Sequence, residues 1–261
     1  MNKVFKRTVT ALATAAAVIA AMLWLPKAAL VPAMTAAVVL VHFEFSRLVA
    51  KKYPVMVFPG VAAGLLYMFA QVYAPRSYIA FPAVVFMLFL AVLLSKAEKP
   101  VVSLAFTVLG IVYIPVFLSP LLLIARDMDA KWLLYTVSII KISDMGGFAF
   151  GMAFGRHKMC PSISPGKSWE GMAGSVFASC LISCLFMPVT SFGVLLSLAF
   201  GVAAAVLGTL GDLAESRIKR EIGVKDSAVF MPAGMGGFLD MFDSLVFASA
   251  LLYPFLRYFA A

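Results

Sequence analysis

The sequence predicts an all-α, polytopic integral membrane protein with about nine transmembrane helices and a cytoplasmic N-terminus. Three observations carry that expectation. The 261 residues are 63% hydrophobic with a mean hydropathy of +1.02, and only 13% are charged, where soluble domains are roughly one quarter charged. The apolar residues gather into uninterrupted runs of roughly 17–25 residues, enough to cross about 30 Å of hydrocarbon at 1.5 Å per residue. None of these runs alternates polar with apolar residues as a barrel strand would, so the backbone groups in lipid must be satisfied inside helices.

The first run, 9–26, follows the basic start MNKVFKRT. Such a start also resembles a signal peptide, but an apolar stretch of about 17 residues exceeds the usual signal core, which favours a retained helix. A short Pro-Lys turn separates it from the second run, 28–46, where Glu44 in VHFEFSRL either faces a polar cavity or pairs with Arg47 one turn on. The runs 54–73, 78–95 and 101–124 carry no charge. The sixth, 132–153, holds Lys141 and Asp144, and Trp24 and Trp132 near span ends read as interface anchors. The seventh, 170–188, contains Cys180 and Cys184; with Cys160 alone and no CxxC pair, the cysteines read as small buried residues. The eighth, 191–210, is followed by the dense mixed-charge block GDLAESRIKREIGVKD at 211–226, and the ninth is 238–259. One membrane domain accounts for the chain, with N-terminal helices over 1–130 and the chemistry-bearing helices and loops over 131–261.

Orientation follows from the basic residues. With the N-terminus inside, one side holds Lys3, Lys6, Arg7, Arg47, Lys51, Lys52, Lys96, Lys99, Arg156, Lys158, Lys167, Arg217, Lys219, Arg220 and Lys225. The other holds only Lys27, Arg76, Arg126, Lys131 and Arg257. Basic residues concentrate in cytoplasmic loops, so the charged segments face the cytoplasm. The net charge of +9 is explained by that bias and by anionic headgroups. No nucleic-acid motif accompanies it, and no nucleic-acid partner is expected.

Three segments on that side could carry chemistry. Asp212, Ser216 and Lys219 are spaced i, i+4, i+7, with Glu215 adjoining, so they share one face of a helix emerging from the eighth span. A solvated, self-neutralising helix end is the plainer alternative. Asp240 and Asp243, at i and i+3, open the last span after a Pro/Gly-rich stretch. They suit a hard divalent cation, or a helix N-terminus that favours acids. Asp144 lies deep in its span, three residues from Lys141, and is either a functional group or half of an ion pair. SPGK at 164–167 reads as a turn presenting Lys167; Pro161 stands where a Walker motif needs glycine. His157 reads as a solvated surface residue. Metal-binding acids beside phosphate-binding bases are the equipment of phosphoryl or nucleotidyl transfer.

These motifs, in order, resemble the phosphatidate cytidylyltransferase (CDP-diacylglycerol synthase) family. SRIKREIGVKDS followed by GGFLDMFDS is similar to S-x-x-K-R-x-x-x-x-K-D-S and D-R-x-D-S. LGDLAES matches L-G-D-L-x-E-S, and DMGGFAFG with SPGKSWEG resembles D-S-G-A-Y-x-x-G with S-P-G-K-T-W-E-G. The chain departs at PAGMGG (232–237), which replaces P-G-H-G-G, and at Met241, where the family has Arg. The resemblance implies CTP and phosphatidate as substrates, CDP-diacylglycerol and pyrophosphate as products, and Mg²⁺ or another divalent cation as cofactor. It implies that Asp212, Asp240 and Asp243 hold metal, with Asp144 a further ligand or a supporting group. Lys167, Lys219, Arg220 and Lys225 would hold phosphates, while Ser164, Ser216 and Asp226 position the substrates. Among these, Lys167, Asp212, Lys219, Arg220 and Asp240 are the expected catalytic set. A bacterial inner membrane with the site on its cytoplasmic face is the implied location, membrane lipids are implied partners, and a homodimer stays open. The alternatives are an inactive relative and a transporter with an ion-binding carboxylate cluster.

Overall fold

The computed structural model describes residues 19–74, 79–95, 98–225, 227 and 237–259. The described part is an all-α membrane protein. Its helices are α1 (Lys27–Val49), α2 (Val57–Tyr73), α3 (Ala80–Leu93), α4 (Pro100–Asp127), α5 (Ala130–Phe154), α6 (Trp169–Leu185), the short α7 (Met187–Thr190), α8 (Val194–Ile222) and α9 (Phe238–Phe259). Eight of these fall on eight of the nine expected spans. Of the first span residues 19–26 are described, 19–24 of them as helix; the rest lies outside the described residues, and so does the choice between signal peptide and retained helix. Five helices, α1, α4, α5, α8 and α9, are long and apolar enough to cross a membrane, while α2, α3 and α6 are shorter apolar helices of 17, 14 and 17 residues.

The surface and interior are inverted relative to a soluble protein. Large apolar side chains such as Phe58, Phe86, Leu93, Phe148 and Leu195 are exposed, as expected where the surrounding solvent is lipid. Small residues are buried instead: Gly171, Gly174, Ser175 and Ser179 on α6, and Gly201, Ala204, Ala205, Gly208 and Gly211 on α8. Lipid tails are as apolar as leucine, so helices associate by close backbone packing rather than by hydrophobic exclusion. A Cβ built on Gly146 of α5 would lie 2.6 Å from the Gly174 carbonyl oxygen of α6. Hydroxyls seal the next interface: Ser179 donates to the Gly201 carbonyl at 2.8 Å and Ser183 to the Ser197 carbonyl at 2.7 Å.

Two local departures shape the site. In α4 the helix widens into a π turn at Val112–Val116 around Pro115. Proline lacks the N–H and crowds the carbonyl four residues earlier, and a π turn is a way of absorbing that mismatch. Between α5 and α6 the chain forms an antiparallel hairpin of β1 (Lys158–Cys160) and β2 (Ser164–Ser168), with Lys158 opposite Ser168 and Cys160 opposite Ser164. SPGK is therefore strand rather than turn; the turn falls at 161–163. Ser168 then caps α6, its hydroxyl accepting from Gly171 N–H at 3.1 Å. The exposed His157 is tied to the same helix start through Glu170, 2.6 Å from its Nδ1.

Candidate active site

The charged block continues α8 without a break to Ile222. At 1.5 Å per residue this helix is about 43 Å long, so its last turns outrun the hydrocarbon and carry charge. Asp212, Glu215, Ser216 and Lys219 form one stripe, and α9, α5 and β2 close against it. The other side of α8 is tied to the loop after α1, where Lys52 Nζ lies 2.8 Å from Glu221 Oε1 and the Tyr53 hydroxyl donates to the same oxygen at 2.8 Å. The Glu221 carboxylate holds the Lys52 ammonium above its usual pKa.

Gly211 is what lets α8 and α9 meet here. A side chain at this position would collide with the Asp243 carbonyl oxygen and come within 3.4 Å of Ser244 Cα. The neighbouring Asp212 is thereby brought against Asp243. Oxygens of Asp212, Glu215 and Asp243 lie within 4.8 Å of one another. Gly211→Ala is expected to push α9 away, at a cost of about 1–3 kcal/mol, and to lower turnover more than Gly201→Ala, farther back along α8, does. Thermal melts and turnover of the two variants in detergent check this.

Each ammonium group of the site has an acid partner. Lys167, carried in by β2, lies 2.7 Å from Asp212 Oδ2 and donates to the Thr209 carbonyl at 3.2 Å. Lys219 lies 2.6 Å from Glu215 Oε2 and 2.5 Å from Asp240 Oδ1. Lys141 lies 3.3 Å from Asp144 Oδ2 and donates to the Ser244 hydroxyl at 2.8 Å, while that hydroxyl donates to Asp144 Oδ2 at 2.7 Å. Asp240 also accepts from Ser227 Oγ at 3.1 Å and from Gly237 N–H at 2.5 Å through its second oxygen. The Lys219–Glu215 contact is short but not aligned as a hydrogen bond, and Glu215 Oε1 is buried with no hydrogen-bond partner among the described residues.

The acids thus group differently from the expectation. Asp212 and Asp243 gather with Glu215, which the sequence reading placed on the right face but left out of the metal set. Asp240 is held by Lys219, and Asp144 by Lys141 and Ser244. Ser216 donates weakly to Asp212 at 3.5 Å. Arg220 reaches the hairpin, its Nε donating to the Ile163 carbonyl at 3.3 Å. Ser164 begins β2, and Lys225 is exposed beyond the end of α8. Asp226 and residues 232–236 of the PAGMGG stretch lie outside the described residues. Sequence reasoning singled out Glu44 but missed its partner: Glu44 is buried on α1 and accepts from Leu239 N–H at 2.9 Å, capping the start of α9. No local spacing signals that contact across 195 residues.

The donor set suits a hard cation. Three carboxylates from two helices offer only oxygen, and Glu215 Oε1 is buried without a donor among the described residues. Counting the linked network, five carboxylates (Asp144, Asp212, Glu215, Asp240, Asp243) face three ammonium groups (Lys141, Lys167, Lys219). The formal excess is two negative charges, which one divalent cation balances.

A sequence model described as the Cytidylyltransferase family matches residues 5–259. The chain is 34% identical over 172 residues to the phosphatidate cytidylyltransferase of Staphylococcus saprophyticus subsp. saprophyticus, covering 65% of each chain. It is 35% identical over 161 residues to the Staphylococcus aureus (strain COL) protein of that name, covering 61% of each. With the Haemophilus influenzae protein of the same name it shares 39% over 138 residues, 49% of this chain and 44% of the other. These alignments span less than two thirds of the relatives' own lengths.

Proposed function

The chain belongs to the cytidylyltransferase family, and from that premise we propose that it transfers the cytidylyl group of CTP to phosphatidate, giving CDP-diacylglycerol and pyrophosphate at the cytoplasmic face of a bacterial inner membrane. The observation that carries this reading is the junction of α5, α8, α9 and β2. There Asp212, Glu215 and Asp243 converge while Lys141, Lys167 and Lys219 stand at their rim. A transporter reading would want charges spread along a path, whereas these form one linked network.

The chemistry asks little of a general base. A phosphate oxygen of phosphatidate is already ionised near neutral pH and attacks the α-phosphorus of CTP as the bond to pyrophosphate breaks. The difficulty is bringing two polyanions together in line, so positioning and charge stabilisation dominate. Asp212, Glu215 and Asp243 would hold a divalent cation such as Mg²⁺, with Asp240 and Asp144 supporting it. Bound there, the cation would supply charge stabilisation for the α-phosphate and the leaving pyrophosphate. Lys167 and Lys219 exchange part of their contact with Asp212 and Asp240 for substrate phosphates. Arg220 and Lys225 extend the basic rim, Ser164 and Ser216 donate hydrogen bonds, and Asp226 helps orient the nucleotide. The lipid tails stay between helices while the headgroup reaches the site.

The test is formation of a CTP-derived lipid and pyrophosphate by the purified protein in detergent with phosphatidate and Mg²⁺. A folded protein that makes neither overturns the reading. Chelation with EDTA is expected to lower turnover at least about 10²-fold, with recovery on adding Mg²⁺; full activity in excess chelator removes the cation from the scheme.

A further inference from the structure

Glu44 and Gly237 stand in a relation that no motif of the sequence contains. Gly237 immediately precedes α9, and a helix start leaves backbone N–H groups without intrahelical acceptors. The common solution has two halves. The side chain just before the helix accepts from an N–H of the first turn, and an acid three residues on accepts from the N–H of that preceding residue. The second half is present: Gly237 N–H donates to Asp240 Oδ2 at 2.5 Å. The first half cannot come from Gly237, which has no side chain. Glu44 of α1 supplies it instead, accepting from Leu239 N–H at 2.9 Å across 195 residues of sequence. The glycine and the acid fit each other in space, since a Cβ at Gly237 would collide with Glu44 Oε1 and with Ser227 Oγ. An acid with no exposed surface on a membrane helix is costly unless it is hydrogen-bonded. This one is held by the start of the helix that carries Asp240 and Asp243.

The cap fixes more than a helix end. Oδ2 of Asp240 is held by Gly237 N–H and by Ser227 Oγ at 3.1 Å. Its Oδ1 is thereby turned to Lys219 at 2.5 Å, and Lys219 reaches Glu215 Oε2 at 2.6 Å. Glu215 stands in the acidic group with Asp212 and Asp243. We infer that Glu44 is a positioning residue: it completes from α1 the cap that Gly237 leaves half-made, and so holds Asp240 and Asp243 in register with Lys219, Glu215 and Asp212. The inference rests on the reading of the acidic group as a cation site. Groups that orient metal ligands show themselves in metal affinity, which a purely structural acid would leave unchanged.

Full-length wild type, Glu44→Gln, Glu44→Ala, Gly237→Ser and the double variant Glu44→Ala/Gly237→Ser are compared in detergent by thermal melts titrated with Mn²⁺ and by turnover. Glu44→Gln keeps an acceptor oxygen, so its Mn²⁺ concentration for half-maximal stabilisation should stay within about threefold of wild type. Glu44→Ala removes the acceptor, and Gly237→Ser drives a side chain into the carboxylate. Each should raise the Mn²⁺ requirement about tenfold and lower turnover with it. In the double variant the serine hydroxyl takes the room of the lost carboxylate and accepts from the first turn itself. Its Mn²⁺ requirement and turnover should return to within about threefold of wild type. The inference is overturned by a Glu44→Ala requirement within about twofold of wild type, whatever its melting temperature. A double variant no better than the poorer single one, or unable to fold, also overturns it, as does Glu44→Gln impaired as far as Glu44→Ala. A wild type that Mn²⁺ does not stabilise removes the cation site and the inference with it. If the Mn²⁺ responses follow as stated, yet no CTP-derived lipid forms, the proposed reaction fails and the role of Glu44 stands.

Discussion

Asp243→Asn should lower turnover by at least about 10²-fold while making the metal-free protein more stable, not less. The carboxylate it removes lies within 4.8 Å of those of Asp212 and Glu215. At that separation two ionised carboxylates repel by about 3.5 kcal/mol at an effective dielectric constant of 20. An amide of the same shape relieves that repulsion and still accepts the Ser244 N–H that Asp243 Oδ1 accepts at 2.6 Å. The same change removes one of three oxygen donors, so the rise in melting temperature on adding Mg²⁺ should shrink or vanish. Opposed effects on stability and function are what a site held under electrostatic strain produces. Thermal melts with and without Mg²⁺, beside a turnover assay, check all three parts. Undiminished turnover would take Asp243 out of the site.

The second large effect concerns Lys219, whose ammonium serves two acids at once. Its side chain is 12% exposed, that of Glu215 1% and that of Asp240 21%. Lys219→Met would leave two largely buried carboxylates facing each other without a counter-charge. Removing one partner of a buried pair costs about 3–5 kcal/mol, so this variant should be the least stable of the site substitutions and inactive. Adding Glu215→Gln and Asp240→Asn to Lys219→Met should recover most of the stability but none of the turnover. Denaturation of the single and triple variants measures the first part. A Lys219→Met protein as stable as wild type would mean that the acids are already neutral or otherwise compensated.

Parts of the site were legible in the chain because they are local. The stripe Asp212, Glu215, Ser216, Lys219 follows from helical spacing alone, and it persists because α8 runs through the charged block to Ile222. The pairing of Lys141 with Asp144 follows from i, i+3 spacing and is found. SPGK misled because Pro and Gly are strong turn signals, yet here their strand is held by pairing with Lys158–Cys160 across a turn one step earlier. The partner of Glu44 and the place of Ser244 carried no signal, since each contact is made with another helix. Glycines at 146 and 211 looked like motif letters; in the fold they are places where one backbone touches another.

What the sequence by itself determined was the all-helical membrane architecture, the approximate spans and the family. Lipid demands of each segment a length, an apolar composition and internal hydrogen bonding, and those are properties a segment possesses alone. Only the tertiary structure decided which acids stand together. Asp240 and Asp243 sit three residues apart, yet one is given to Lys219 and the other to Asp212 and Glu215. That division depends on the register in which α9 slides along α8, set by the missing side chain of Gly211 and the Glu44 cap on Leu239 N–H. Between helices in lipid, register is fixed by atom-to-atom packing rather than by a pattern written along either chain.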